Sequence, residues 1–280
     1  MSIKEAYNPK SIKEVLEILD KYGDRAKVIA GGTDIVIQLR NDEINPEALI
    51  DISKIRELRK IEEKEDEIII GACTTYTDIV ESSLFDGNLK GFKRSCRLVG
   101  SPQIRNKGTI GGNIANGAAA ADSVPPLMCL DARVVLESLN GKRELSLEEY
   151  YKDTVKPDEL LTYIKFQKSK KDDGILAFSK LGLRKALAIS RLTSSVYLER
   201  DNDGKIKLAR VASGALGRTP IREKKVENYL LGKNINDETI EESINLLRES
   251  AAERLKGRST LPYKSSALDT ILREALEETL

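Results

Sequence analysis

Two glycine segments constrain this chain more than any other feature: Val28-Ile29-Ala30-Gly31-Gly32-Thr33-Asp34 and Thr109-Ile110-Gly111-Gly112-Asn113. Each follows a run that can deliver it as an exposed loop. Glycine reaches backbone angles that other residues avoid, and consecutive N–H groups without a Cβ between them can converge on one anionic oxygen. Two such loops in one domain suit a ligand with a diphosphate, such as a dinucleotide, and Thr33, Thr109 and Asn113 would add side-chain donors. Neither loop fits G-x-G-x-x-G or G-x-x-x-x-G-K-[ST]. Gly-Gly pairs also occupy ordinary turns, and that reading stays open for each loop taken alone.

The surrounding pattern predicts an α+β fold. Ser11-Ile12-Lys13-Glu14 matches a capping box, and Ile12, Val15, Leu16 and Leu19 follow at helical spacing up to Gly23. A strand over 27–30, a helix over 34–39 opened by Asp34 and a strand over 48–52 make a small parallel α/β unit over residues 1–55. A second, mixed α/β unit spans 56–170. Its expected parts are a charged hairpin connection at 61–66, a strand over 67–72, helices over 77–82 and 89–99, and a long loop over 101–113. A helix over 122–130, a hairpin around Asn140-Gly141 and a strand over 160–166 complete it. The polar run at 168–174 marks the next boundary. The unit at 171–280 reads as a small antiparallel sheet, with a hairpin at 201–204 between strands over 194–200 and 205–216. Three helices, over 221–231, 237–252 and 265–280, close it.

Composition excludes several chemistries. The 46 basic and 45 acidic residues nearly cancel, so nucleic acid is not an expected partner. No apolar run approaches a membrane span and the first residues lack a signal-like core, so the expected location is cytoplasmic, with no membrane partner. Histidine is absent, which removes Ser-His-Asp catalysis, His-ligated zinc and histidyl-linked flavin. Cys73, Cys96 and Cys129 are too scattered to ligate an iron–sulfur cluster and read as free, mostly buried thiols. Neither a metal site nor a set of catalytic acid, base and nucleophile is found.

The wording around the glycine segments resembles the FAD-binding subunits of the molybdenum hydroxylases, the xanthine, nicotinate and carbon monoxide dehydrogenase family. AGGTDIVIQL at 30–39 and SPQIRNKGTIGGNIANGAAAADSVPPLMCLDA at 101–132 carry the resemblance. Asp158-Glu159-Leu160-Leu161 and Lys180-Leu181-Gly182-Leu183-Arg184-Lys185-Ala186 extend it over the full length. It implies non-covalently bound FAD, with the pyrophosphate and ribose held by Ile29, Ala30, Gly31, Gly32, Thr33, Asp34 and Ile35 together with Thr109, Ile110, Gly111, Gly112 and Asn113. It places Asp122 against the flavin nucleotide, where an ionised carboxylate accepts a ribose hydroxyl; taken alone, Asp122 also reads as the N-cap of the helix after it. It places Val99, Leu161 and Lys180 along the flavin site, with the Lys180 charge near the flavin N1–C2 carbonyl, where it favours the reduced form. Val99 and Leu161 read equally as core residues, and Lys180 as a solvated surface lysine. Arg105 lies in a stretch shared with bacterial members and gains no role from it. Lys107 stands where relatives tend to be apolar.

The function implied is an electron-transfer subunit of an oxidoreductase complex. A large partner would carry the molybdopterin, where a purine or other N-heterocycle is oxidised. A small partner would carry [2Fe–2S] clusters, and FAD would pass electrons on to NAD or another acceptor. A self-contained flavin oxidoreductase of the same fold is the alternative, and a non-catalytic nucleotide-binding protein is a third.

Overall fold

The computed structural model describes residues 3–168, 174–184 and 187–280. Most of the expected connector at 168–174, and the end of the 180–186 stretch, lie outside the described residues.

The first unit is a parallel sheet of three strands in the order β1 (Glu5–Tyr7), β3 (Ala48–Asp51), β2 (Ala26–Ile29). Helix α1 (Ile12–Tyr22) packs on it. The Ser11 side chain accepts from the Glu14 N–H, and Gly23 closes the helix at φ +54°. Strand β1 carries no sequence signal: three residues at the sheet edge are too few to show a period. Helix α2 (Ile35–Arg40) follows the first glycine segment. Val15, Leu16, Leu19, Ile50, Leu58 and Cys73 share the core of this unit.

The second unit is an antiparallel sheet in the order β4 (Ile61–Glu63), β5 (Glu67–Gly71), β8 (Leu160–Gln167), β6 (Arg133–Ser138), β7 (Gly141–Ser146). The Asn140-Gly141 turn joins β6 to β7, as its sequence predicts. One face is covered by α3 (Tyr76–Glu81), α4 (Lys90–Arg97), α6 (Ile110–Asn116) and α7 (Val124–Cys129), which bury Phe85, Phe92, Ile110, Ile114, Leu127 and Ile164 in one core. The expected loop over 101–113 instead contains α5 (Pro102–Arg105) and runs into α6. Pro102 at the first turn and Thr109 as N-cap are the local reasons. Helix α8 (Leu147–Tyr150) ends the unit's helices.

The third unit is an antiparallel sheet in the order β12 (Ile221–Arg222), β11 (Ile206–Gly214), β10 (Ser190–Arg200), β9 (Gly174–Gly182). One face carries α9 (Lys224–Leu230), α10 (Asp237–Arg254) and α11 (Leu261–Glu277) over a core with Val196, Val211, Leu247 and Leu272. The other face receives α4 and α7. Strand β9, which abuts the charged connector, is absent from the expected elements, and the helix expected over 221–231 begins as β12. The chain is α+β, with the parallel unit, the mixed unit and the sheet with three tail helices in the expected order. Among the described residues no helix is long and apolar enough to cross a membrane.

Candidate functional site

The first glycine segment leaves β2 and turns into α2. Gly32 adopts φ +76°, a left-handed angle that favours glycine. At Gly31 an added Cβ would stand 1.9 Å from the Lys107 carbonyl oxygen, so only glycine lets this loop lie against the strand of chain entering the second segment. Asp34 precedes α2 without capping it. Its carboxylate accepts from Thr33 Oγ1 at 3.2 Å and from Asn116 Nδ2 at 3.3 Å. The backbone N–H groups of Gly31, Gly32, Thr33, Asp34 and Ile35 donate to no acceptor among the described residues. Five successive donors thus remain available on one turn.

The second segment is not an open loop. Thr109 caps α6 by accepting from the Gly112 N–H at 3.2 Å. The Ile110 N–H donates to Thr74 O at 3.0 Å, Gly111 to Ala72 O at 2.9 Å and Asn113 to Thr109 O at 3.0 Å. A Cβ on Gly111 would meet the Ala72 Cβ at 2.5 Å and its carbonyl oxygen at 2.7 Å. Gly111 is therefore a packing residue that seats α6 on the end of β5. The expectation that its N–H groups are free for an anion gives way to a helix start whose first donors are already engaged. Gly112 is exposed, and Asn113 accepts from Ser123 Oγ at 2.9 Å.

The fold brings both segments together. Gly31 touches the Lys107–Gly108 peptide before α6, and Asp34 reaches Asn116 at its far end. Leu161, on β8, is 9% exposed and shares its core with Ile110 and Ile114.

Asp122 and Lys180 meet each other. Lys180 Nζ donates to Asp122 Oδ2 at 2.5 Å and to Leu98 O at 3.0 Å, and both side chains are buried, at 8% and 7% exposure. Ser190 Oγ donates to Asp122 Oδ1. Burial pushes the Asp122 carboxyl above the usual aspartate pKa, and Lys180 and Ser190 offset part of that shift. Asp122 is not a helix cap: the position before α7 is Ser123, without a capping side-chain bond. Lys180 is not a solvated lysine.

Val99 is half-buried in the turn after α4. Arg105 Nη1 donates to Val99 O and to Gly100 O, each at 3.1 Å. With Lys180 on Leu98 O, two cations hold three successive carbonyls at the negative end of a helix. Sequence reasoning found Lys180, gave Arg105 no role and missed Ser190 and Asn116. Ser190 belongs to no pattern that could have flagged it.

A cavity of about 320 Å³ lies elsewhere, on the face of the five-stranded sheet away from the helices, around Ile69, Val135 and Tyr163. Its lysines and glutamates pair with each other, as in Lys142–Glu137 at 3.0 Å, and it contains none of the residues expected to bind ligand.

The donor row at Gly31–Ile35, left-handed at Gly32 and half-exposed at its glycines, fits a group rich in anionic oxygens such as a pyrophosphate. Comparison with known proteins agrees with that chemistry. Residues 2–166 match the family described as FAD binding domain in molybdopterin dehydrogenase. Residues 177–279 match the CO dehydrogenase flavoprotein C-terminal domain. The chain is 32% identical to the nicotinate dehydrogenase FAD-subunit of Eubacterium barkeri, over 99% of this chain and 96% of that one. It is 30% identical to the xanthine dehydrogenase FAD-binding subunit of Escherichia coli O157:H7, over 91% of this chain and 89% of that one. A structure of carbon monoxide dehydrogenase from Hydrogenophaga pseudoflava superposes with a TM-score of 0.89 at 29% identity, covering 98% of this chain and 96% of the other. The chain belongs to the FAD-binding flavoprotein subunits of the molybdenum hydroxylase family.

Proposed function

We propose that this chain is the electron-relay subunit of a molybdenum-containing hydroxylase or dehydrogenase complex. In this reading the donor row from Gly31 to Ile35 holds the FAD pyrophosphate, with Ile29, Ala30 and the second segment, Thr109 to Asn113, forming the rest of the nucleotide site. Val99, Leu161, Asp122 and Lys180 border the flavin. Bound FAD would accept electrons singly and release them as a pair. The chain's own residues bind and orient it: the first loop supplies N–H donors, and the Arg105 and Lys180 clamps fix the turn at 98–100.

The observation that carries the reading is the unengaged donor row, seated by Gly31 against the segment entering α6. Substrate oxidation belongs to a large molybdopterin subunit, and electrons enter from [2Fe–2S] clusters on a small subunit. NAD is the proposed acceptor, and a purine or other N-heterocycle the proposed substrate. Relatives named for nicotinate and xanthine support the latter. The proposed units are 1–55, 56–170 and 171–280, the first two binding FAD. Cys73, Cys96 and Cys129 are buried free thiols, which suits the reducing cytoplasm.

Purified chain reconstituted with FAD tests the proposal. It should bind FAD, release it on acid denaturation and reduce an artificial dye with NADH. It should oxidise xanthine, hypoxanthine or nicotinate only when both partner subunits are added. Turnover of a heterocycle by the FAD-loaded chain alone would instead establish a self-contained oxidoreductase.

A further inference from the structure

The stretch between α6 and α7 is tied to the last sheet at three points. The Ala215 N–H, just after β11, donates to Ala119 O at 2.7 Å. Lys180 on β9 and Ser190 at the start of β10 occupy the two carboxylate oxygens of Asp122. Lys180 also reaches back to Leu98 O, beside Val99. Asp122 is 6% exposed, and Ser190 is 5% exposed. The other titratable groups near the carboxylate are Tyr76 of α3 and Cys96 of α4, and burial pushes both upward, so they stay neutral. Lys180 is then the charged partner of Asp122 among the described residues.

We infer that Ser190 is a positioning residue of the FAD site: with Lys180 it fixes the Asp122 carboxylate across the unit boundary, so that Asp122 and Lys180 act on the cofactor as a compensated pair and not as a lone cation. The inference rests on the FAD reading above. A lone buried lysine would impose a full positive charge. A carboxylate 2.5 Å from the ammonium cancels most of that field within a short distance. The serine hydroxyl matters because it fixes which oxygen faces Lys180 and stabilises the ionised carboxylate by a charge-assisted bond.

The reduction potential of bound FAD tests this. Asp122→Asn should raise it, Lys180→Met should lower it, and the double variant should lie near the unaltered protein. Ser190→Ala should bind FAD about tenfold more weakly, the loss of one hydrogen bond to a charged group. Without the serine the Asp122 carboxyl protonates at higher pH, so the potential of Ser190→Ala should climb in mild acid. Ser190→Thr should restore the original profile. The inference is overturned if Asp122→Asn leaves the potential unchanged and the double variant matches Lys180→Met, or if Ser190→Ala follows the unaltered protein at every pH. Failure of the unaltered chain to bind added FAD would sink the parent reading separately. The positioning role is then decided by hydrogen exchange: the Ala215 amide should exchange faster in Ser190→Ala and not in Ser190→Thr, and an unchanged rate would overturn it.

Discussion

The two glycine segments read almost alike, yet the fold uses them oppositely. At 30–35 the glycines leave backbone donors open and press the loop against the Lys107 peptide. At 109–113 they let a helix start close on Ala72: the Ile110 and Gly111 N–H groups are engaged by Thr74 O and Ala72 O, and those of Gly112 and Asn113 by Thr109. A Gly-Gly pair therefore reports close backbone approach. What approaches is the Lys107 peptide in one case and Ala72, at the end of β5, in the other.

Four substitutions should separate the two roles. Gly111→Val carries the largest expected effect: its Cβ has no room beside Ala72, and overpacking there should cost about 3 kcal/mol in urea unfolding. If stability survives and only FAD binding is lost, Gly111 serves the ligand and not the packing, and the comparison fails. Gly31→Ala should do the reverse. Titration of the apo chain should show FAD affinity reduced by about 2 kcal/mol, with urea unfolding less affected than in Gly111→Val, since the loop yields more easily than the core. Thr109→Ala removes a cap and should lower stability by about 1 kcal/mol. Gly32→Ala forces a side chain to φ +76° and should cost about 1 kcal/mol at most, read mainly as weaker FAD binding. Equal losses of affinity for Thr109→Ala and Gly32→Ala would erase the distinction drawn between the segments.

Much of this architecture is legible in the sequence because period and punctuation agree. The spacing of Ile12, Val15, Leu16 and Leu19 after Ser11 gives α1, and Asn140-Gly141 gives the β6–β7 turn. Strand β1 escapes because its three residues gain their order from pairing with β3, a contact distant in sequence. Helix α6 hides because glycines weaken helical propensity, while Thr109 and the sheet beneath it more than compensate. For the candidate site, the residues at 29–35 stand out through composition. The partnership of Asp122 with Lys180 and Ser190 does not, since those residues lie 58 and 68 positions apart and only the folded sheet aligns them. Arg105 escapes for a related reason: its acceptors are backbone carbonyls, which carry no sequence signature.

The last turn of α11 ends against α4, where Glu278 pairs with Arg94 at 3.1 Å and with Lys90 at 3.9 Å. Helix α4 leads into the turn that carries Val99, and that turn is also gripped by Lys180. The turn is thus anchored, through α4, by a contact 184 residues distant in sequence. A growing polypeptide can form its parallel sheet early, but loop closure to Glu278 must wait until α11 has been made. If the Val99 turn borders FAD as proposed, a chain stopped before α11 should take up FAD more weakly than the unaltered one.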